Sequence, residues 1–423
     1  RILQDREGQR LKEYSVEVVN DELIITDEEG GLFEYNPRSR ESQRIMETLF
    51  HEKQRIIENC LFGVDINPNS VKICRLRLWI ELLKNAYYKN ATELETLPNI
   101  DINIKCGNSL VSRFAIDADL GQALKKSKWT IDSYRLAVDT YRNAESKEQK
   151  REMERLITSI KSDFRSEITK DDPKLKRLSK LNGELFNLTN QDSLFEMEKK
   201  QKALWTKQIE KLTSEIKRLD AEIEEIKANK IYENAFEWRF EFPEVLNDAG
   251  DFVGFDVVIG NPPYGIQIEK SIQQYYSKMF PLSQYKINLY NLFIERMMQL
   301  FDRGIIHFII PKSLMFNSYN EEMRKELLSK TEINSLYTIT EKVFEDAEVG
   351  SSLMIQITLK KNNNVNNLIK LVLAEKIENF TTGYGLLENF TSQDYFLNLP
   401  KCEMSIISND KKSILEKIST LNK

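Results

Sequence analysis

The chain has 423 residues, of which 41% are hydrophobic and 30% charged, so it can bury a sizeable core and is not a wholly disordered polymer. The formal net charge of −5 excludes a uniformly basic nucleic-acid coat but allows a local basic groove. Its two histidines, His51 and His307, exclude a histidine-rich metal site and disfavour a Ser-His-Asp hydrolase, and its four cysteines without C-x-x-C spacing are typical of a reduced, cytoplasmic protein.

The N-terminal region predicts strands followed by a helix. Apolar and polar residues alternate over residues 14–35, which predicts two or three short strands. Residues 39–59 repeat apolar side chains at helical spacing, at Ile45, Leu49 and Ile56.

The next stretch predicts a strand–helix–strand unit. An apolar strand is expected over residues 61–66, and a helix over residues 71–88, with Asn67 as its N-cap and Pro68 at its first position. A second strand is expected over residues 100–105. This order is typical of βαβ architecture and predicts an α/β fold.

The middle of the chain has a different character. Residues 124–230 are rich in Lys and Glu and predict an inserted α-helical coiled-coil hairpin with antiparallel partners. Its longer apolar seam repeats with spacings of four and three at Trp205, Ile209, Leu212, Ile216, Leu219, Ile223 and Ile226. Its shorter seam consists of Leu178, Leu181, Leu185 and Leu188.

The α/β pattern returns after the helical region. Strands are predicted over residues 255–260, 305–310, 336–340 and 353–360, and a helix over residues 289–300. Ser318 with Glu321 predicts a capping box that opens a further helix. The longest apolar run, residues 304–311, is too short to span a bilayer, so no membrane association is expected.

The sharpest chemical motif is Asn261-Pro262-Pro263-Tyr264, which follows the strand predicted over residues 255–260. A conjugated amine or an amide nitrogen is a poor nucleophile, and two acceptors on its hydrogens stabilise the positive charge that develops during attack. The Asn261 side chain and the Pro262 carbonyl supply such acceptors, while Tyr264 offers a flat face for stacking. The alternative is an ordinary Pro-Pro turn at the end of a strand.

Two further polar residues follow predicted strands. Asp65 ends one strand just before a helix, where an acid commonly accepts hydrogen bonds from ribose hydroxyls. Asn108 ends the next strand, where its amide can bind the adenine edge of a cofactor. The alternatives are turn or capping chemistry at Asp65 and a Gly-Asn turn at Asn108.

The order of these motifs resembles the amino-methyltransferases that modify adenine in DNA, most closely those of type IIG restriction–modification systems. The resemblance rests on residues 62–79, 106–110, 236–246, 255–265, 305–314 and 342–349. It implies an S-adenosylmethionine-dependent enzyme with an incomplete Rossmann-like sheet that methylates the exocyclic amine of adenine, without a metal ion. The partners it implies are double-stranded DNA, a target-recognition domain and a restriction nuclease, either fused or separate.

The resemblance also assigns roles to individual residues. Asn261 and Pro262, with Pro263, would hold the adenine amine, and Tyr264 and Phe344 would pack on the two faces of the flipped base. The cofactor would be bound by Asp65, Ile66, Asn108 and Asn261.

The resemblance gives a domain organisation. Residues 1–113 and 236–400 would be the cofactor side and the target-base side of one catalytic core, separated by the helical insertion at 114–235. Residues 401–423 would be a linker or the start of a target-recognition domain.

The chain departs from the family pattern in its cofactor loop. Members carry a glycine-rich Asp-Pro-x-x-Gly-x-Gly loop before the acidic strand, whereas this sequence has none and begins at Arg1. We therefore expect residues 1–423 to be a fragment that is inactive alone and binds S-adenosylmethionine weakly or not at all. Isothermal titration calorimetry tests this expectation, and a micromolar dissociation constant would contradict it.

Other assignments stay open at this point. The Lys/Arg content of the insertion is typical of a solvated helical face, but Lys199, Lys200, Lys202 and Lys207 are candidates for contacts with the DNA backbone. A protein-glutamine or RNA amino-methyltransferase would use the same motif. For the fragment itself, a non-catalytic DNA-binding or interaction module is a further alternative.

Overall fold

A computed structural model describes residues 5, 8, 11, 14–20, 22–90, 92–95, 97–114, 121, 125–171, 173–191, 199–228, 230–283, 287–301, 303–342, 352–359 and 367–405. The chain divides into two compact units, residues 1–251 and 252–423, and each is described by itself. Within the described ranges, no helix is long and apolar enough to cross a membrane.

The strands are Tyr14–Val19 (β1), Glu22–Asp27 (β2), Gly63–Asp65 (β3), Ile104–Cys106 (β4), Val257–Gly260 (β5), Gly304–Pro311 (β6), Thr331–Ile339 (β7), Ser352–Leu359 (β8), Leu368–Ala374 (β9) and Leu387–Ser392 (β10). The helices are Arg40–Cys60 (α1), Pro68–Leu83 (α2), Ile131–Arg142 (α3), Lys147–Asp171 (α4), Pro173–Gln191 (α5), Lys199–Ala228 (α6), Trp238–Glu241 (α7), Lys270–Met279 (α8), Leu289–Leu300 (α9), Glu321–Lys330 (α10), Glu378–Thr382 (α11) and Gln393–Leu397 (α12).

The first unit begins with the predicted strands and helix. β1 and β2 form an antiparallel pair, and α1 starts after Ser39, whose side chain accepts from the Ser42 backbone N–H. Ile45 and Leu49 are buried as expected. The prediction for Ile56 is wrong, because Ile57 faces the core instead and Ile56 is exposed.

The βαβ unit is confirmed, with shorter elements than predicted. β3 and β4 pair in parallel, and α2 begins with Asn67 as N-cap and Pro68 in its first turn. Residues 100–102 form a 3₁₀ turn rather than the start of the strand. The buried Asn103 explains this, since its side-chain amide donates to the carbonyls of Ile57, Glu58 and Leu61 at 2.7–3.1 Å and so closes the end of α1.

The middle of the chain forms four helices in the described residues, where a two-helix hairpin was expected. The predicted seams do meet, since Leu181 on α5 packs with Leu212, Ile216 and Leu219 on α6. Lys174, at the start of α5, bonds Glu222 near the end of α6, while the Trp205 indole N–H donates to the Leu188 carbonyl. These contacts make α5 and α6 antiparallel.

The second unit is built on a mixed six-stranded sheet with the order β10-β9-β7-β8-β6-β5. β5 pairs in parallel with β6, and β8 runs antiparallel between β6 and β7. β7 is buried at seven of its nine residues, whereas β6 and β8 largely alternate buried and half-buried side chains, and Leu336, Leu353 and Ile355 are fully covered. No residue of these three strands is exposed, so both faces of the central sheet are at least partly covered.

The predicted capping box of the second unit is wrong. Residues 318–320 form a 3₁₀ turn, and α10 starts after Asn320 rather than after Ser318. The Asn317 side chain takes the capping position instead, accepting from the Tyr319 backbone N–H at 3.0 Å.

Candidate functional site

The parallel pairing of β3 and β4 brings Asp65 and Asn108 to one sheet edge. Asp65 lies opposite Cys106, and the Gly107 N–H donates to the Asp65 carbonyl at 2.9 Å. Two of the predicted cofactor residues are therefore neighbours at the carboxyl ends of adjacent parallel strands. Ligands of open α/β sheets bind at such ends.

The side chains at this edge also make the local bonds that the alternative interpretation predicts. The exposed Asp65 carboxylate accepts from the Asn67 N–H at 2.6 Å, and the half-buried Asn108 side chain accepts from the Leu110 N–H at 3.1 Å. A carboxylate has about four lone-pair sites and a carboxamide has two donors, so each keeps capacity for a ligand. Ile66, beside Asp65, is exposed.

The loop that carries Asn108 is held by the segment that follows the helical region. The Asn108 N–H donates to the Asn234 carbonyl at 2.6 Å, and the Phe236 N–H donates to the Val111 carbonyl at 2.9 Å. The Trp238 indole N–H donates to the Ser109 carbonyl at 3.0 Å. Residues from far along the chain thus fix the backbone on both sides of Asn108.

Glu237 strengthens this attachment from a buried position. Its carboxylate accepts from the Ser112 hydroxyl and, at 2.8 Å, from the Arg113 N–H. Burial raises the pKa of Glu237. The buried acid is satisfied by bonds that reach across more than a hundred residues of sequence, so its role was not visible from spacing alone.

Gly107 permits the close approach of this segment. A Cβ at Gly107 would lie 2.9 Å from Phe236 Cδ2 and 3.1 Å from Phe236 Cβ, and Phe236 is buried. On the cofactor role that the family resemblance implies for Asn108, we expect Gly107→Ala in the complete gene product to displace the Asn108 loop and to weaken S-adenosylmethionine binding about tenfold or more, because hydrogen bonds of ~1–3 kcal/mol are lost. Titration calorimetry measures this effect.

Gly183→Ala is the matched control for that substitution. Gly183 lies inside α5 with nothing within 4 Å of an added Cβ, so alanine there should stabilise the helix by ~1 kcal/mol without affecting binding. Unchanged affinity in Gly107→Ala would show that the close contact does not position Asn108.

A buried ion cluster lies next to this loop. The Glu241 carboxylate contacts the ammonium groups of Lys161 at 2.5 Å and Lys105 at 3.5 Å, and the Arg165 guanidinium at 3.3 Å. Burial lowers the pKa of Lys105 to about 7. Burial alone would raise the pKa of Glu241, but the surrounding cations outweigh it and lower that pKa to about 2. The cluster joins β4 to α4.

The predicted target-base residues lie in the second unit, directly after β5. Asn261 is exposed, Pro262 is buried and Tyr264 is half-buried. Burial raises the pKa of the Tyr264 hydroxyl. Pro262 is buried while the Asn261 side chain is exposed, so the Asn261 oxygen can accept a hydrogen bond from a substrate amine.

β5 itself departs from expectation. It is the edge strand of the six-stranded sheet, and its apolar side chains Val257 and Ile259 are exposed rather than buried. Gly260 lies opposite Phe308, and a Cβ there would be 3.0 Å from the Phe308 ring. The residue before Asn261 therefore packs closely on β6.

The structure describes only some of the remaining predicted residues. Phe344 lies outside the described residues. Lys199, Lys200 and Lys202 lie at the start of α6, where the structure describes the backbone but not their side chains. Lys207, one turn later, is exposed.

The family of the chain follows from comparison with known proteins. The sequence model of the Eco57I restriction-modification methylases matches residues 59–344. The chain belongs to this family. The match spans the β3–β4 unit, the helices and the Asn261–Tyr264 segment of this Eco57I-family chain.

Known proteins resemble parts of this Eco57I-family methylase. A protein of Methanocaldococcus jannaschii whose name describes a type II restriction enzyme and methyltransferase is 27% identical over 397 residues. The match covers 88% of this chain and 32% of that protein, so the chain spans about a third of the length of this relative.

Solved structures align over smaller parts. The type IIG restriction endonuclease BpuSI aligns with 43% of this chain and 26% of its own, at 16% identity and a TM-score of 0.31. The type I methyltransferase subunit of Streptococcus thermophilus aligns with 36% of this chain and 39% of its own, at 19% identity and a TM-score of 0.27.

Proposed function

We propose that the protein transfers a methyl group from S-adenosylmethionine to the exocyclic N6 amine of adenine in double-stranded DNA, as part of a restriction–modification system. The observation that carries this proposal is the exposed Asn261 beside the buried Pro262 at the end of β5, in a chain of the Eco57I methylase family. The adenine specificity rests on the resemblance of the Asn261–Tyr264 motif to that of adenine amino-methyltransferases.

The residues at the carboxyl ends of β3 and β4 fit the nucleoside part of the proposed cofactor. The exposed Asp65 carboxylate suits ribose hydroxyls, and the half-buried Asn108 carboxamide offers donors and an acceptor to an adenine edge. Ile66, exposed beside them, would supply apolar contact, and Asn261 remains the fourth proposed cofactor residue. When bound, S-adenosylmethionine supplies an electrophilic methyl group on a sulfonium.

The proposed chemistry needs acceptors more than a general base. The Asn261 side-chain oxygen and the Pro262 carbonyl would accept hydrogen bonds from the two amine hydrogens and stabilise the positive charge that grows on N6 as its bond to the methyl carbon forms and the carbon–sulfur bond breaks, leaving a neutral thioether. Pro263 keeps the Pro262 carbonyl presented, and Tyr264 stacks on the flipped base. The proton that N6 then loses passes to solvent. Phe344 remains our candidate for the opposite face of the base.

The domain organisation predicted from sequence is also part of this proposal. Residues 1–113 and 236–400 would form a Rossmann-like catalytic core, residues 114–235 a coiled-coil insertion and residues 401–423 a linker or the start of target recognition. The proposed partners are DNA, a target-recognition domain and a nuclease, with Lys199, Lys200, Lys202 and Lys207 as DNA-backbone contacts.

Replacing these lysines should flatten the salt dependence of DNA binding.

Methyl transfer by the complete gene product tests the proposed function. Tritiated S-adenosylmethionine is supplied with genomic DNA from a strain without adenine methyltransferases, with tRNA and with protein, in EDTA to block metal-dependent cleavage. We expect label in DNA alone and recovery of N6-methyladenine after digestion to nucleosides. Label in glutamine or in tRNA would instead support the alternative amino-methyltransferases, and label in none would contradict the proposal.

A further inference from the structure

Two large aromatic side chains are exposed on the loop that follows β6. Phe316 is 54% exposed and Tyr319 is 53% exposed. They flank the short polar run Asn317-Ser318, and residues 312–320 contain Lys312 but no Asp or Glu. Two exposed rings three residues apart on one loop offer an apolar surface that a binding partner can cover.

The loop backbone is held rigidly from beneath. The Arg324 side chain is fully buried and donates to the carbonyls of Leu314 at 3.0 Å and Asn317 at 2.7 Å. The buried Asn320 side chain donates to the Ser313 carbonyl at 3.1 Å and to the Tyr290 hydroxyl at 3.0 Å. The backbone between the two rings is therefore fixed before any ligand arrives, which lowers the entropy cost of binding.

The loop follows the carboxyl end of β6, and the Asn261–Tyr264 segment follows the carboxyl end of β5. β5 and β6 are parallel neighbours, with Gly260 opposite Phe308. Neighbouring strands are about 4.8 Å apart, so the chain leaving β5 starts beside the last three residues of β6, Ile309 to Pro311. The exposed rings follow that end by only a few residues.

We propose that Phe316 and Tyr319 are DNA-binding residues that stack on bases next to the flipped adenine. This inference rests on the proposed function. Flat rings on a preformed loop suit stacking on unpaired or unstacked bases. Such stacking does not depend on the base sequence, because every base has a π-face. The neighbouring Asn317 and Ser318 side chains can hydrogen-bond to phosphate or base edges. Lys312 opens the loop, and the acids nearest to the two rings, Glu321 and Glu322, lie in the first turn of α10.

The test uses the double variant Phe316→Ala/Tyr319→Ala of the complete gene product. With the genomic DNA substrate above, we expect the KM for DNA to rise about tenfold or more, since both base stacks are removed. The salt dependence of binding should keep its slope, because no phosphate contact is removed. The affinity for S-adenosylmethionine and the melting temperature should not change, and Phe316→Trp/Tyr319→Phe should restore the KM.

Phe390→Ala is the matched control. Phe390 is 57% exposed on β10, the opposite edge strand of the same sheet, and its loss should leave the KM unchanged. An unchanged KM in the double variant, with DNA methylation by the wild type intact, overturns this inference alone. The inference is also overturned if the KM for DNA rises equally in the Phe390→Ala control. It is overturned as well if the double variant has a melting temperature low enough to account for its higher KM. Absence of DNA methylation by the wild type overturns the proposed function and this inference together.

Discussion

Replacing Asn261 with alanine is expected to lower the rate of methyl transfer about 10²–10³-fold, the usual loss when one group that stabilises transition-state charge is removed. Asn261 is exposed at the end of β5, so the substitution leaves no cavity and should not change the melting temperature. The effect should appear mainly in kcat, because the acceptor is needed most when charge develops on the amine. Tritiated methyl transfer to DNA measures it.

Two companion variants make this result specific. Asn261→Asp keeps an acceptor oxygen at the same place and should recover part of the rate. Gln267→Ala removes another exposed carboxamide a few residues further along and should have no effect. Full activity of Asn261→Ala would show that the motif is an ordinary strand-ending turn.

The largest expected effect on stability comes from Glu241. Glu241→Gln removes the negative charge shared by Lys105, Lys161 and Arg165, so Lys161 and Arg165 lose their shared partner and Lys105, whose pKa is already lowered to about 7, loses its proton. Breaking a buried ion pair in this way costs ~3–5 kcal/mol of the free energy of unfolding. Chemical denaturation of wild type and variant at pH 7 measures the difference.

The pH dependence gives this prediction a signature. The pKa of Glu241 is lowered to about 2 in the folded protein, from an ordinary value of 4.5. Its contribution to the free energy of unfolding is therefore complete above pH 4.5 and is lost as the pH falls toward 2. The gap between wild type and Glu241→Gln should therefore narrow over that window.

A double substitution and a surface control complete the design. Lys105→Met combined with Glu241→Gln should cost less than the sum of the single changes, since each single change already removes the Lys105–Glu241 interaction. Glu145→Gln removes an exposed acid and should change stability by less than ~0.5 kcal/mol. Additive costs in the double variant would contradict a direct Lys105–Glu241 interaction.

The parts of the fold that sequence predicted depend on local signals. Asn67 and Pro68 mark the start of α2 through capping chemistry within a few residues, and the heptad seams meet because their spacing fixes one helical face. The prediction for Ile56 was wrong by one position, since Ile57 is the buried residue. Helical spacing allows either of these adjacent residues to face the core, and the packing of α1 against the rest of the unit determines which one does.

The parts that sequence missed depend on distant contacts. Nothing near Lys105 indicates Glu241, and nothing near Ser112 indicates Glu237, because each pair is separated by more than a hundred residues. The run over residues 236–246 was visible only as part of the family resemblance. Its role as the support of the Asn108 loop follows from hydrogen bonds that only the folded chain brings together.

The Phe236–Val111 hydrogen bond has a consequence for how this protein can change in length. The chain leaves the βαβ unit at Val111 and returns to it at Phe236. The hydrogen bond between these two residues therefore holds the start and the end of the helical region side by side. The α5–α6 pair lies beyond the Lys161–Glu241 attachment and packs on its own seam. Whole turns can therefore be gained or lost at the far end of that pair while Asn108 keeps its place, which makes that end a permissive site for insertions.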